Sequence, residues 1–171
     1  MEFDIKTGKS RLRISRENNY AGRPVIIFLH ESLGCIELWK DFPKKLGEVC
    51  RCNILIYDRL GYGKSDPFST LNRNKDYMET EADILHKILE ICKIDKAILF
   101  GHSDGGTIAL IAASKYPDKI SGVITEGAHV FVEEKTLEGI RKAFDSYYTT
   151  GLKDKLDSVK GRKARVIVSP G

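Results

Sequence analysis

Apolar residues gather in three short runs, and the stretches between the runs carry them at every third or fourth position. Pro24 to His30 (Pro-Val-Ile-Ile-Phe-Leu-His), Asn53 to Tyr57 and Ala97 to Phe100 are short and rich in branched aliphatic residues, the pattern of strands covered on both faces. Ser121 to Thr125 reads as a fourth strand beside them. Between Cys35 and Arg51 the positions Ile36, Trp39, Phe42, Leu46 and Val49 follow helical spacing, and Pro43 marks an interruption. The clearest amphipathic helix runs from Tyr77 to Cys92, with Met78, Ala82, Leu85, Leu89 and Cys92 in one stripe and Ile84, Ile88 and Ile91 beside it. Ser103 to Tyr116 is helical too, carrying Ile108, Ala109, Ile111, Ala112 and Ala113. Strands alternating with helices in this way predict an α/β protein with a mostly parallel sheet wrapped by helices. Glu2 to Ile5 and Leu12 to Ser15 form a lead-in hairpin near Thr7-Gly8-Lys9. Thr136 to Leu156 adds one or two helices, with Leu137, Ile140, Ala143, Phe144 and Tyr147 on one face.

Length and composition support this outline and narrow the functions open to it. A chain of 171 residues with 42% hydrophobic and 30% charged positions is long enough for one domain with its own core and too apolar for a disordered segment. Acidic residues near the start, Glu2 and Asp4, stand where a secretion signal needs basic ones, and no apolar stretch reaches membrane-spanning length. The expected setting is cytoplasmic, with no membrane partner. Cys35, Cys50, Cys52 and Cys92 lack the C-x-x-C spacing of zinc or redox sites; reduced, mostly buried thiols are expected, and no metal or cofactor. The net charge of +4 is confined to the tail, where Lys160, Arg162, Lys163 and Arg165 stand without an acid and leave the body neutral. That tail has no interleaved aromatics, so a nucleic-acid partner is not expected.

The chemistry is concentrated at Gly101-His102-Ser103-Asp104-Gly105, a G-x-S-x-G sequence that closes the third run and opens a helix. This context is that of a nucleophile elbow, a strand-to-helix turn so sharp that only glycines fit around the serine. Ser103 is the candidate nucleophile. The helix that follows turns unpaired N–H groups toward it, making Asp104 N–H the first oxyanion-hole donor. The second donor belongs in the loop after the first strand, His30-Glu31-Ser32-Leu33-Gly34, and Ser32 N–H is the choice there. A plain strand-to-helix turn with no catalytic role is the competing reading of that loop.

These segments together resemble the α/β-hydrolase superfamily, in particular bacterial members with a His-Glu-Gly-Leu-Gly loop, a Trp-x-x-Phe-Pro helix and an Arg-x-Gly-Tyr-Gly-x-Ser-Asp-Pro loop. The counterparts here are His30 to Gly34, Trp39-Lys40-Asp41-Phe42-Pro43 and Arg59 to Pro67, joined by the elbow and by Ala128-His129-Val130-Phe131-Val132-Glu133. Ser32 replaces the glycine of those relatives, which changes the approach to the oxyanion hole without removing its N–H. The resemblance runs from about Pro24 to Leu156 and implies an α/β-hydrolase fold that is incomplete at the C-terminus. Residues 1–131 would form the first half of the core, 132–158 the start of a cap-like helical region, and 159–171 a divergent basic tail. In the superfamily a cap and two further strands follow, and then the acid and the histidine that activate the serine. The expectation is therefore a partial domain, from a truncated, frameshifted or partial gene, without a visible acid or base.

The four histidines present do not replace that base in this reading. His102 precedes the serine and points beneath the turn, His30 ends a strand beside the site, His129 follows the fourth strand and His86 lies on a helix; structural roles are expected for all four. Glu126 closes the fourth strand, a position from which some superfamily members draw their acid, and is a minor candidate. The resemblance implies hydrolysis of a small carboxylic ester or related acyl compound, with a cofactor-free perhydrolase or haloperoxidase as a second enzymatic reading. An inactive fragment or a ligand-binding protein of the same fold is the alternative from another class.

Overall fold

A computed structural model of the chain describes residues 1–68, 75–131 and 134–151. The lead-in hairpin is formed by β1 (Glu2–Thr7), two residues longer at its end than the apolar pattern marks, and β2 (Ser10–Glu17), two residues longer at both ends. Gly8 sits at its turn with a φ of 64°, a conformation that favours glycine. There follow β3 (Val25–Leu29), α1 (Phe42–Cys50), β4 (Asn53–Tyr57), α2 (Tyr77–Ile91), β5 (Ala97–His102), α3 (Asp104–Lys115), β6 (Ile120–Glu126) and α4 (Glu134–Thr149). The interruption expected at Pro43 is present: a short 3-10 turn at Ile36–Trp39 precedes α1, whose first turn holds the proline. Of the helical stretch expected to reach Leu156, Glu134–Thr149 is one helix; residues 152–171, the tail included, lie outside the described residues, as do 69–74 in the polar loop.

The strands form one sheet in the order β1-β2-β4-β3-β5-β6. The central pairings β3–β4, β3–β5 and β5–β6 are parallel, and the hairpin joins antiparallel through β2 against β4. Alternation along the strands divides the core between two faces. Val25, Ile27, Leu29, Leu55, Tyr57, Ala97 and Leu99 face α2 and α3, packing with Ala82, Leu85, Ile88, Leu89, Ile108 and Ala109. Ile26, Phe28, Ile54 and Ile56 face the Ile36–Trp39 turn and α1, with Trp39 and Phe100 packed alongside. Phe28 anchors that second layer through edge contacts to Trp39 at 5.4 Å and Phe42 at 6.1 Å between ring centroids.

The sequence reading needs amendment at the far side of the sheet. Ala97 to Phe100 was expected to be buried on both faces, yet Ile98 and Phe100 are only half-buried, and β6 is largely exposed. The cause is layering: the Ile36–Trp39 turn and α1 cover β3 and β4 and reach β5 only in part, where Phe100 lies 5.9 Å from Trp39 and 5.3 Å from Phe42 between ring centroids, while β6 beyond them stays largely exposed. Ile124 is 47% exposed, and Val130 and Phe131 just beyond β6 are 78% and 72% exposed. An open parallel edge flanked by apolar side chains favours pairing between chains. The chain is therefore expected to self-associate, and Ile124→Lys to shift it toward monomer by light scattering; a parent chain that already runs as a sharp monomer would contradict this.

Candidate active site

Ser103 stands between the last residue of β5 and the first of α3 with φ 52° and ψ −120°. Positive φ in a non-glycine residue costs on the order of 1–3 kcal/mol and persists only where the surroundings enforce it. Here they do. Ser103 N–H donates to Glu126 O at 2.8 Å, and Ser103 O accepts from Gly106 N at 2.8 Å and Thr107 N at 3.2 Å. The glycines are required by close approach rather than by their torsions. A methyl group on Gly101 would overlap the backbone of Gly105, one on Gly105 would overlap Leu29 O in β3, and one on Gly106 would lie 2.8 Å from Ala128 Cβ. The strand end, the first turn of α3 and β3 thus meet at a distance no side chain tolerates, and the serine is pushed outward.

Ser32 and Asp104, the residues expected to supply oxyanion donors, are in contact with each other. Asp104 opens α3, so its N–H lies in the first turn, where backbone donors have no partner within the helix. Ser32 lies in the loop after β3, and its hydroxyl donates to the carboxylate Oδ2 of Asp104. The side chain that departs from the family's glycine therefore ties the loop after β3 to the first residue of α3. Neither Ser32 N–H nor Asp104 N–H is taken up by a protein acceptor among the described residues.

Beneath this pair lies a charged group whose burial the apolar pattern does not reveal. Arg59 is completely buried. Its Nη1 donates to Tyr77 OH at 2.7 Å, its Nη2 donates to Glu31 O at 3.1 Å and lies 4.0 Å from Asp104 Oδ2, and its guanidinium carbon stands 4.9 Å over the Tyr62 ring. Burial works against the charge, but Tyr77, Glu81, Tyr62 and Asp104 outweigh it and hold the Arg59 pKa above its ordinary value. The preceding residue, Asp58, is also buried, which pushes its carboxyl up even though the N–H groups of Lys64 (2.8 Å) and Ile36 (2.7 Å) favour its charged form. Gly63, at φ +51°, is where the loop folds over that carboxylate, leaving no room for a side chain. The one sequence-level signal of this arrangement was the Arg-x-Gly-Tyr-Gly-x-Ser-Asp-Pro loop.

His30 and His86 take structural places as expected, while His102, expected beneath the turn, instead reaches toward the loop after β3. His30 is fully buried; its Nε2 accepts from Arg59 N–H at 3.0 Å and its Nδ1 is 2.7 Å from Glu31 O. A backbone N–H only donates and a carbonyl only accepts, so this ring is held as the Nδ1–H tautomer with both nitrogens engaged. His102 is half-exposed with Nδ1 3.6 Å from Glu31 Oε2. His86 stacks on Tyr116 at 4.1 Å, away from the elbow on α2. His129 is exposed, and it is its backbone that meets Thr107 Oγ1, through N–H at 3.1 Å and O at 3.0 Å. Glu126 touches the site through its carbonyl alone, its carboxylate lying exposed on the sheet edge. Of the cysteines, Cys35, Cys52 and Cys92 are buried and Cys50 is exposed. Among the described residues no group of His, Cys, Asp and Glu is placed to hold a metal ion, and no helix is long and apolar enough to cross a membrane.

A six-stranded, mostly parallel sheet presenting a strained serine at a glycine-lined strand-to-helix turn defines the class of the α/β hydrolases. Comparison with known proteins agrees: the alpha/beta hydrolase fold family matches residues 24–164, and the chain belongs to it. It is 36% identical to the serine hydrolase BPHL of Homo sapiens over 141 residues, 80% of this chain and 47% of that protein. It is 27% identical to a 2-hydroxy-6-oxononadienedioate/2-hydroxy-6-oxononatrienedioate hydrolase of Paraburkholderia phymatum over 145 residues, 81% of this chain and 49% of that one. The chain thus spans about half the length of these curated relatives. Among solved structures, an α/β hydrolase from a deep-sea metagenome library superposes with a TM-score of 0.74 at 19% identity, covering 92% of this chain and 55% of that one. A structure from Nitrososphaera gargenis, described with that organism's carboxylesterases, does so with a TM-score of 0.73 at 23% identity, covering 92% and 57%.

Proposed function

We propose that Ser103 is the nucleophile of an acyl-transfer hydrolase acting on a small carboxylic ester or related acyl compound, with the Asp104 and Ser32 amides binding the oxyanion. The observation that carries this reading is the backbone of Ser103 itself, held at positive φ by three glycines whose close contacts have no other evident use. Attack by the serine oxygen on an ester carbonyl puts negative charge on the carbonyl oxygen, and two backbone donors at the mouth of a helix stabilise that charge. The similarity to a serine hydrolase supports a serine as the attacking residue. The substrate is a free small molecule; neither nucleic acid nor a membrane partner is part of the reading, and the setting is cytoplasmic.

A serine hydroxyl is a weak nucleophile without an adjacent base. The engaged ring of His30 and the exposed side chains of His129 and Glu126 favour a second reading, in which this chain by itself is nearly inactive or only binds its ligand. The experiment is acylation by p-nitrophenyl acetate followed by mass spectrometry. The chain should acquire a slow acetyl group on Ser103, and Ser103→Ala should lose it. Rapid turnover that disappears in His129→Ala or Glu126→Ala would mean that a rearranged triad exists within the chain. Perhydrolysis is separated from hydrolysis by adding hydrogen peroxide and assaying for peracid.

A further inference from the structure

We infer that Arg59 is a positioning residue that aims the Ser32 N–H into the oxyanion hole by holding the Glu31 carbonyl from behind. The inference rests on Ser103 being the nucleophile and concerns how the second oxyanion donor is oriented. The Glu31 carbonyl and the Ser32 N–H belong to one peptide unit, which is trans and therefore planar, with its C=O and N–H pointing in opposite directions. Whatever grips the carbonyl decides where the N–H points.

Three donors converge on that carbonyl: Gly34 N at 3.0 Å, His30 Nδ1 at 2.7 Å and Arg59 Nη2 at 3.1 Å. Gly34 belongs to the same tight turn and moves with it. The other two tie the loop to the body of the protein, and they are linked, because Arg59 N–H fixes the His30 ring that in turn donates to Glu31 O. Both are fully buried, so neither grip is exchanged for water. Hydrogen bonds to a carbonyl also polarise its amide and strengthen the N–H on the other side as a donor. The same guanidinium lies 4.0 Å from Asp104 Oδ2, which accepts from the Ser32 hydroxyl. Arg59 thus braces both walls of the hole, the loop through a carbonyl and the helix through a carboxylate. Its positive charge also offsets an aspartate whose own charge opposes an oxyanion forming nearby.

The test is the rate of Ser103 acetylation by p-nitrophenyl acetate in the 171-residue chain, followed by mass spectrometry over a range of ester concentrations. Arg59→Met should slow acetylation at saturating ester by roughly 30-fold, within reach of the 10²–10³ lost when an oxyanion donor is removed outright, and leave the half-saturating concentration within about threefold. Arg59→Lys keeps the charge but cannot span Tyr77 OH and Glu31 O together, and should lose about tenfold; it serves as well if the methionine variant does not fold. Ile88→Val truncates the core away from the loop and should leave the rate within about threefold, which separates positioning from stability. Acetylation at the parent rate in both Arg59 variants, with Ser103→Ala unlabelled, overturns the role of Arg59 and leaves Ser103 as nucleophile. Equal loss in Ile88→Val overturns it as well, in favour of simple packing. Acetylation that spares Ser103 in the parent overturns the nucleophile reading itself.

Discussion

Gly105→Ala is expected to cost at least the upper end of the roughly 1–3 kcal/mol that overpacking usually costs, and to remove the elbow with it. The added methyl would overlap the Leu29 carbonyl and lie 2.9 Å from that of His30. Both belong to backbone held by its neighbours: Leu29 pairs in register with Gly101 at the centre of the sheet, and His30 is anchored to Arg59. Relief would require α3 to lift from β3 and carry Ser103 away from the Ser32 loop. Against a total stability of about 5–15 kcal/mol such a loss is large. Gly122→Ala provides the contrast, since a methyl there meets only Ile98 Cγ2 at 4.0 Å, and it should unfold within about 1 kcal/mol of the parent. Urea unfolding of the two variants checks this; equal midpoints would show that the elbow does not need its glycine.

The parts of the fold legible in the sequence are those where one local pattern decides the outcome. Val25 to Leu29 and Asn53 to Tyr57 are buried on both faces because they occupy the middle of the sheet, and their unbroken apolar runs said so. The helix at Tyr77–Ile91 matched its stripe, with the addition that Glu81 is buried beside it and Ile91 is 45% exposed. The strain at Ser103 was legible because glycine spacing reports how closely backbone segments approach. The exposure of β6 was not, because Ser-Gly-Val-Ile-Thr has the same composition whether or not a layer covers it.

The role of Arg59 was illegible for a different reason. In the sequence it is one polar residue in a glycine-rich loop. Its burial depends on Glu31, Tyr77 and Asp104, which lie 28, 18 and 45 positions away. A buried charge is tolerated only when such partners are assembled, and no local spacing announces that they are. The Ser32 hydroxyl followed the same rule. The sequence showed that it departs from glycine, whereas its use, a bond to the carboxylate of the residue after Ser103, needed the loop and the start of α3 together in space.

The largest effect is expected when a general base is supplied. Joining this chain after α4 to the part of the human serine hydrolase BPHL that it does not span should raise p-nitrophenyl acetate turnover by a factor on the order of 10⁴ or more, since oxyanion binding alone leaves only about 10³–10⁴ over water in enzymes that have lost a triad member. In the proposed mechanism the Ser103 oxygen attacks while the Asp104 and Ser32 amides bind the oxyanion, and the step still calls for a group that removes the hydroxyl proton; among the described residues no side chain hydrogen-bonds to the Ser103 hydroxyl. Deacylation needs the same group to activate water, so acetyl should no longer accumulate on Ser103 in the joined protein. A joined protein that folds, as judged by circular dichroism and gel filtration, yet turns over no faster than the short chain would mean that the elbow is not competent. Turnover that survives Ser103→Ala would place the chemistry elsewhere.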